Sequence, residues 1–408
     1  MLDSTLSRFA RTTLAGLLTV AAATPAHADV VSDWNARANH IIIEAKMGTP
    51  PATRLMAIVQ TAVLEAVEEI DRVSAAGTKA GHPLPAVDAA VAAANRAVLS
   101  RALPSQLHSV QSAYQAAVAS IPDAAARESG IAIGERAAAT VLAARATDGF
   151  GAPESYRPHT TPGAYVPTVL PAVPQWGGRK PWLIGSPARL RPEPPPATTS
   201  ELWARDFNEV KALGGKSSTQ RSAEQTEIAR FWEFSLPAIY HGLVRSVADA
   251  PGRDVASNAR LYAVVSQAMD DALISVMDAK YHYNFWRPVT AVRNGDIDGH
   301  DGTDRDPTWT PLIDTPVHPE YPCAHCILAA TVGTVLKPEL GAGAVLATSS
   351  PTANGATRRW DNVEDLMQEV ANARIYDGVH YRNSAEVGLA MGRRIGELAT
   401  ARPNLAAR

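Results

Sequence analysis

The chain has 408 residues, of which 46% are hydrophobic, enough for one large domain or two ordinary ones with a packed core. A formal net charge of -3 with 19% charged residues leaves no basic stripe, which argues against a nucleic-acid partner and for a small-molecule one. Only 6% of residues are aromatic, alanine dominates the apolar ones, and their commonest spacing is helical, so an all-α protein with small side chains at its helix contacts is expected.

Residues 1–28 read as an export signal: Arg8 and Arg11 precede an apolar run from Thr13 to Ala23, and Ala26-His27-Ala28 offers a cleavage pattern before Asp29. The run is too short to span a bilayer and no other stretch is longer and as apolar, so a periplasmic or extracellular location without a membrane span is expected. Removing two arginines and one aspartate takes the formal charge from -3 to -4. An oxidising location would permit a bond between Cys323 and Cys326, the chain's 2 cysteines.

A helical region is expected over 29–148. Asn35 to Ile70 reads as two helices split at Gly48 to Pro51, the second striped by Leu55, Met56, Val59, Val63, Val67 and Ile70. Val87 to Ala102, Pro104 to Ser120 and Pro122 to Thr147 read as three more. Residues 149–199 break the pattern with 12 of the 30 prolines, and Tyr156, Tyr165, Trp176 and Trp182 favour a loop packed on the bundle as much as a free linker. Helical pattern resumes over 200–408, at Thr199 to Leu213, Ser222 to Phe234, Leu236 to Ala250 and Asp254 to about Lys280.

Three segments of this second half carry chemistry. Lys280 and Arg287 lie seven residues apart where the long helix ends, near one face and near the end its dipole favours for cations. Pro322 and His325 open the apolar helical run from Ile327 to Leu336, at a helix N-terminus whose free N–H groups attract anions. Arg374 and His380 close a helix beginning near Asp361, with Gly378 as its stop signal. Three cations and two histidines suit a tetrahedral or five-coordinate oxyanion: guanidinium forks bind its oxygens, one imidazole attacks or ligates the central atom, and the other exchanges protons. Zinc fits less well, because the cations repel it and no carboxylate ligand recurs with the histidines.

K-x6-R-P at Lys280 to Pro288, P-x-x-H at Pro322 to His325 and R-x5-H at Arg374 to His380 resemble, in order and spacing, the signature uniting vanadium-dependent haloperoxidases with type 2 phosphatidic acid phosphatases. The strings "VSDWNARA", "AEQTEIARFW", "KYHYNFWRPVTAVR", "DPTWTPLIDTPVHPEYP" and "ARIYDGVHYR" are similar to the bacterial, exported haloperoxidase-like branch. The resemblance implies a helical bundle of that type, with Lys280, Arg287 and Arg374 holding the equatorial oxygens of vanadate or of competing phosphate. It implies His380 as vanadate ligand or phosphorylated nucleophile, His325 as acid–base residue, and Lys280 as the polarising cation. The reactants would be hydrogen peroxide and halide, or a small phosphoester, with no organic redox cofactor.

Three positions depart from the pattern. Cys323 and Ala324 stand where the family has P-S-G-H, with Cys326 following the histidine, and Ser384 stands where an aspartate usually follows His380 by four residues. Cys323 would bring a weak S–H donor in place of a hydroxyl, Ala324 would keep its backbone N–H, and Asp377 is a nearby carboxylate that could replace the missing one. Two other readings follow from these residues: a non-catalytic anion-binding relative, and a thiol–disulfide exchange protein using Cys323 and Cys326, which lacks the expected βαβ context. His282, His300 and His318 read as hydrogen-bonded loop histidines, and Tyr283, Phe285 and Trp286 as core or wall aromatics.

Overall fold

A computed structural model describes residues 29–77 and 84–402. The expected leader lies outside the described residues. From Asp29, whose carboxylate caps the first turn by accepting the Ser32 N–H at 2.9 Å, the chain enters α1 (Val30–Glu44), then α2 (Thr49–Gly77) with Pro50 and Pro51 in its first turn, where no N–H is missed. The helices α3 (Leu84–Ala102), α4 (Leu107–Ala119) and α5 (Ala124–Ala144) complete the first half. Gly130 and Gly134 let α5 lie directly on α3, since a Cβ at either would sit 2.2 Å from a carbonyl oxygen, of Ala86 or Ala90.

The centre of the molecule is α9 (Val255–Tyr283), a 29-residue helix buried along most of its length and packed on α2. Around it stand α6 (Glu201–Leu213), α7 (Ala223–Phe231), α8 (Pro237–Ala248), the short α10 (Pro288–Val292), α11 (Ala324–Leu336), α12 (Val363–Tyr376) and α13 (Arg382–Thr400). Ser222 and Gln225 form a full capping box at the start of α7. One hairpin, β1 (Leu346–Ser350) and β2 (Ala356–Trp360), pairs antiparallel with Leu346 opposite Trp360 and lies against α8. Among the described residues no helix is long and apolar enough to cross a membrane.

Residues 149–199 are laid over α9 and tied to it. Arg179, fully buried, donates to Asp270 Oδ1 and Oδ2 at 2.7 and 3.0 Å and to Asp148 Oδ2 at 2.8 Å. At the next position of α9, the Asp271 carboxylate accepts the N–H groups of Trp182, Leu183 and Ile184 at 2.6 to 3.0 Å. The Trp176 ring is fully buried beneath this strap.

Candidate active site

The expected site residues converge where α9 ends. Asn284 takes a left-handed conformation (φ 51°), stops the helix and turns the chain so that Arg287, the residue before α10, folds back beside Lys280. Lys280 is fully buried and donates to the carbonyls of Pro319 and Glu320 at 3.1 and 2.6 Å. Arg287, also buried, donates to the carbonyls of His318 and Val379, each at 2.9 Å, and to His318 Nδ1 at 2.9 Å. The same His318 nitrogen also lies 3.1 Å from the Pro319 carbonyl oxygen, so it faces a donor and an acceptor at once.

Arg374 occupies the last turn of α12, donating to the Trp232 carbonyl at 3.0 Å. Its Nη1 lies 2.6 Å from Asp377 Oδ2, an ion pair without hydrogen-bond alignment, and its buried Nε has no partner. Gly378 turns the chain out of α12 at φ +84°, where a Cβ would stand 2.3 Å from the Gly214 carbonyl oxygen. Two residues on, His380 is buried with Nε2 3.4 Å from an Arg287 nitrogen and Nδ1 2.6 Å from Glu320 Oε1.

His325 sits in the first turn of α11, where the N–H groups of Ala324 and His325 have no intrahelical acceptor. The ring is held by the Trp232 carbonyl, and its buried Nε2 has no partner, although the residue as a whole is partly exposed. The walls beside the site are aromatic: Trp203 stacks on Trp286 at 5.7 Å, and Tyr381 meets Trp203 and Phe285 at 5.0 and 5.9 Å.

The electrostatics describe a site short of negative charge. Burial, then the neighbouring Arg287, holds Lys280 well below its usual range, and burial lowers Arg287 to about 10. Burial, then all three cations, pushes His325 and His380 well below the usual imidazole range. The carboxyls respond oppositely: burial raises Glu320 to about 7 and Asp377 to about 6. Three buried cations facing two carboxyls that resist ionisation favour a multivalent anion, which would offset the repulsion among them.

Vanadate fits the groups present. Arg374 Nε and His325 Nε2 are buried polar atoms without protein partners, and the Ala324 and His325 N–H groups have no intrahelical acceptor, on the two segments that stand beside Lys280 and Arg287. The sequence pattern did not single out Glu320 as the carboxylate beside His380, nor Trp232, whose carbonyl sets both Arg374 and His325. The signal for Glu320 was its isolation, the one acidic residue between His318 and His325.

Residues 260–405 match the family model described as the VCPO second helical-bundle domain. The vanadium chloroperoxidase of Curvularia inaequalis is 28% identical over 240 residues, covering 43% of this chain and 39% of its own length. The chain therefore spans well under half of that curated relative. Over residues 260–405, then, the chain is similar to the vanadium chloroperoxidase family. Its fold is also that of solved haloperoxidases: a bacterial vanadium-dependent iodoperoxidase superposes with a TM-score of 0.77 at 24% identity, covering 93% of this chain and 97% of the other. A bacterial vanadium-dependent chloroperoxidase in its holo form gives 0.70 at 18% identity, covering 87% and 92%.

The departures from the haloperoxidase pattern now have physical content. Cys323 and Cys326 form a disulfide, so Cys323 has no S–H to offer an oxyanion; its sulfur instead accepts the Cys326 N–H at 3.1 Å and caps α11. The expected donor role of Cys323 is thereby corrected, and side-chain donation falls away at that position. Both cysteines are fully buried, which leaves an exchange partner no approach and removes support from the thiol–disulfide reading. Ala324 is the first helical residue of α11, is not among the residues with positive φ, and costs nothing in place of glycine. Asp377 serves Arg374 and the Val379 N–H rather than a histidine.

Proposed function

We propose that this chain is an exported, vanadate-dependent haloperoxidase that oxidises halide with hydrogen peroxide. The observation that carries the reading is the convergence of Lys280, Arg287 and Arg374 with two unprotonated imidazole nitrogens, on His325 and His380, in one buried site. Lys280, Arg287 and Arg374 would hold the equatorial oxygens, with help from the Ala324 and His325 N–H groups. His380 Nε2, its proton partner being on the Nδ1 side, is free to ligate. His325 Nε2, with its other ring nitrogen engaged by Trp232, is free to take a proton from incoming peroxide. Bound vanadate would supply the Lewis-acid centre that activates peroxide toward halide. Inorganic phosphate, the isosteric oxyanion, would compete for the same cradle. The disulfide and the leader-like N-terminal pattern support export.

The test is peroxide-dependent bromination by the purified chain with vanadate titrated in. Activity should rise with vanadate, fall with added phosphate, and vanish in His380→Ala. Activity that needs no vanadate, or that survives His380→Ala, would sink the reading. Hydrolysis of a chromogenic phosphomonoester that is lost in His380→Ala, with no bromination, would assign the phosphatase chemistry instead.

A further inference from the structure

No carboxylate follows His380 by four residues in this chain; Ser384 stands there, its Oγ 3.5 Å from His380 Nδ1, too long for a well-made hydrogen bond. The structure brings a carboxylate to the same nitrogen from sixty residues upstream. Glu320 is fully buried in the loop before α11, and its Oε1 lies 2.6 Å from His380 Nδ1 while accepting the Tyr381 N–H at 3.2 Å. Its backbone is equally committed. The Glu320 carbonyl accepts from Lys280 Nζ at 2.6 Å, and its N–H donates to the Phe285 carbonyl at 2.9 Å. One residue thus ties together the segments that carry Lys280, Arg287 and His380.

We infer that Glu320 is a positioning residue of the oxyanion site, its carboxylate holding the His380 Nδ1–H so that Nε2 presents its lone pair toward Arg287 and the bound oxyanion. It takes over the task left open at position 384. Oε1 already accepts the Tyr381 N–H, so it meets His380 Nδ1 as an acceptor and admits a single tautomer of the ring, whereas a serine hydroxyl donates or accepts and enforces neither. Asp377, the other buried carboxylate nearby, is already engaged by Arg374 and Val379. The inference rests on the reading that His380 meets the oxyanion.

The experiment compares wild type, Glu320→Gln, Glu320→Ala and the double variant Glu320→Ala/Ser384→Asp. Two readouts are used: inorganic phosphate affinity by calorimetry, and the His380 ring tautomer from nitrogen-15 NMR of histidine-labelled protein, assigned with His380→Gln. Circular dichroism and melting confirm folding, and the isosteric Glu320→Gln serves if the alanine variant does not fold. Loss of a histidine's outer partner costs about 10–100-fold in ligand affinity. Glu320→Gln is therefore expected to weaken phosphate binding by that factor and to mix the His380 tautomers. Ser384→Asp should restore both in the alanine background, because its side chain already points at the same nitrogen. Unchanged affinity and a tautomer indifferent to residue 320 would overturn the inference. If wild type binds no phosphate the oxyanion reading fails by itself, and the tautomer measurement, which needs no ligand, still decides the role of Glu320.

Discussion

At the scale of single residues, one cation of the site is divided between anchoring and reaching. Arg374 shows the division: Nη1 is spent on the Trp232 carbonyl and on Asp377, while buried Nε has no protein partner. A planar fork can do both at once, and a lysine ammonium cannot. Arg374→Lys should therefore keep Asp377 paired and the fold intact, yet lose one charge-assisted hydrogen bond to the anion, worth about 1.5–3 kcal/mol. The expected outcome is a tenfold or greater loss of phosphate affinity by calorimetry, with little change in melting temperature. The spacing of Lys280, Arg287, His325, Arg374 and His380 made these five residues legible from their order along the chain alone. Glu320 and Trp232 were not, because their roles depend on tertiary pairings to His380 and Arg374 that no local periodicity encodes.

At the scale of elements, the two histidines are set by how closely α11 and α13 approach. Gly388, Gly392 and Gly396 recur every fourth residue along α13, and a Cβ there would meet the Cys323 carbonyl oxygen at 2.7 Å, the Ile327 carbonyl oxygen at 2.3 Å and Thr334 Cβ at 2.6 Å. Since His325 opens α11 and His380 lies just ahead of α13, prising the helices apart moves the site. Gly392→Ala is expected to cost about 1–3 kcal/mol by overpacking, despite alanine's better helix propensity. Urea unfolding would measure it, and phosphate affinity should fall with it; a stabilised variant with unaltered affinity would refute the argument. The same glycines explain why α13 was not legible in the sequence: they lower helix propensity on the very face that packs. The hairpin was not legible either, its two 5-residue strands being largely polar and defined by the left-handed turn at Asn354 and Gly355 rather than by apolar alternation. By contrast, α2 and α9 were legible because long apolar stripes need no partner to be seen.

At the scale of the whole molecule, the strap over 149–199 joins the first-half helices to α9, and its attachment makes stability depend on pH. Asp271 lies buried under the strap, its carboxyl raised to about 7 by burial against the lowering effect of the Trp182, Leu183 and Ile184 N–H groups. The ordinary carboxyl value is 3.8, so between that pH and about 7 the folded chain holds a proton that the unfolded chain has released. A state that binds more protons gains less as pH rises, and the contribution of Asp271 must fall through that window. Asp271→Asn keeps the shape and two of the three acceptor contacts but has nothing to titrate. Melting temperatures of wild type and variant, measured from mildly acidic to mildly alkaline pH, should therefore diverge in one direction, wild type losing ground as pH rises and levelling off once the folded carboxyl has ionised. Glu320 and Asp377, also raised by burial, titrate identically in both proteins and cancel from the difference. A gap that stays constant across the range would show that Asp271 is ionised throughout, held by its three N–H donors as a permanent carboxylate, and the strap would then owe its pH response to other groups.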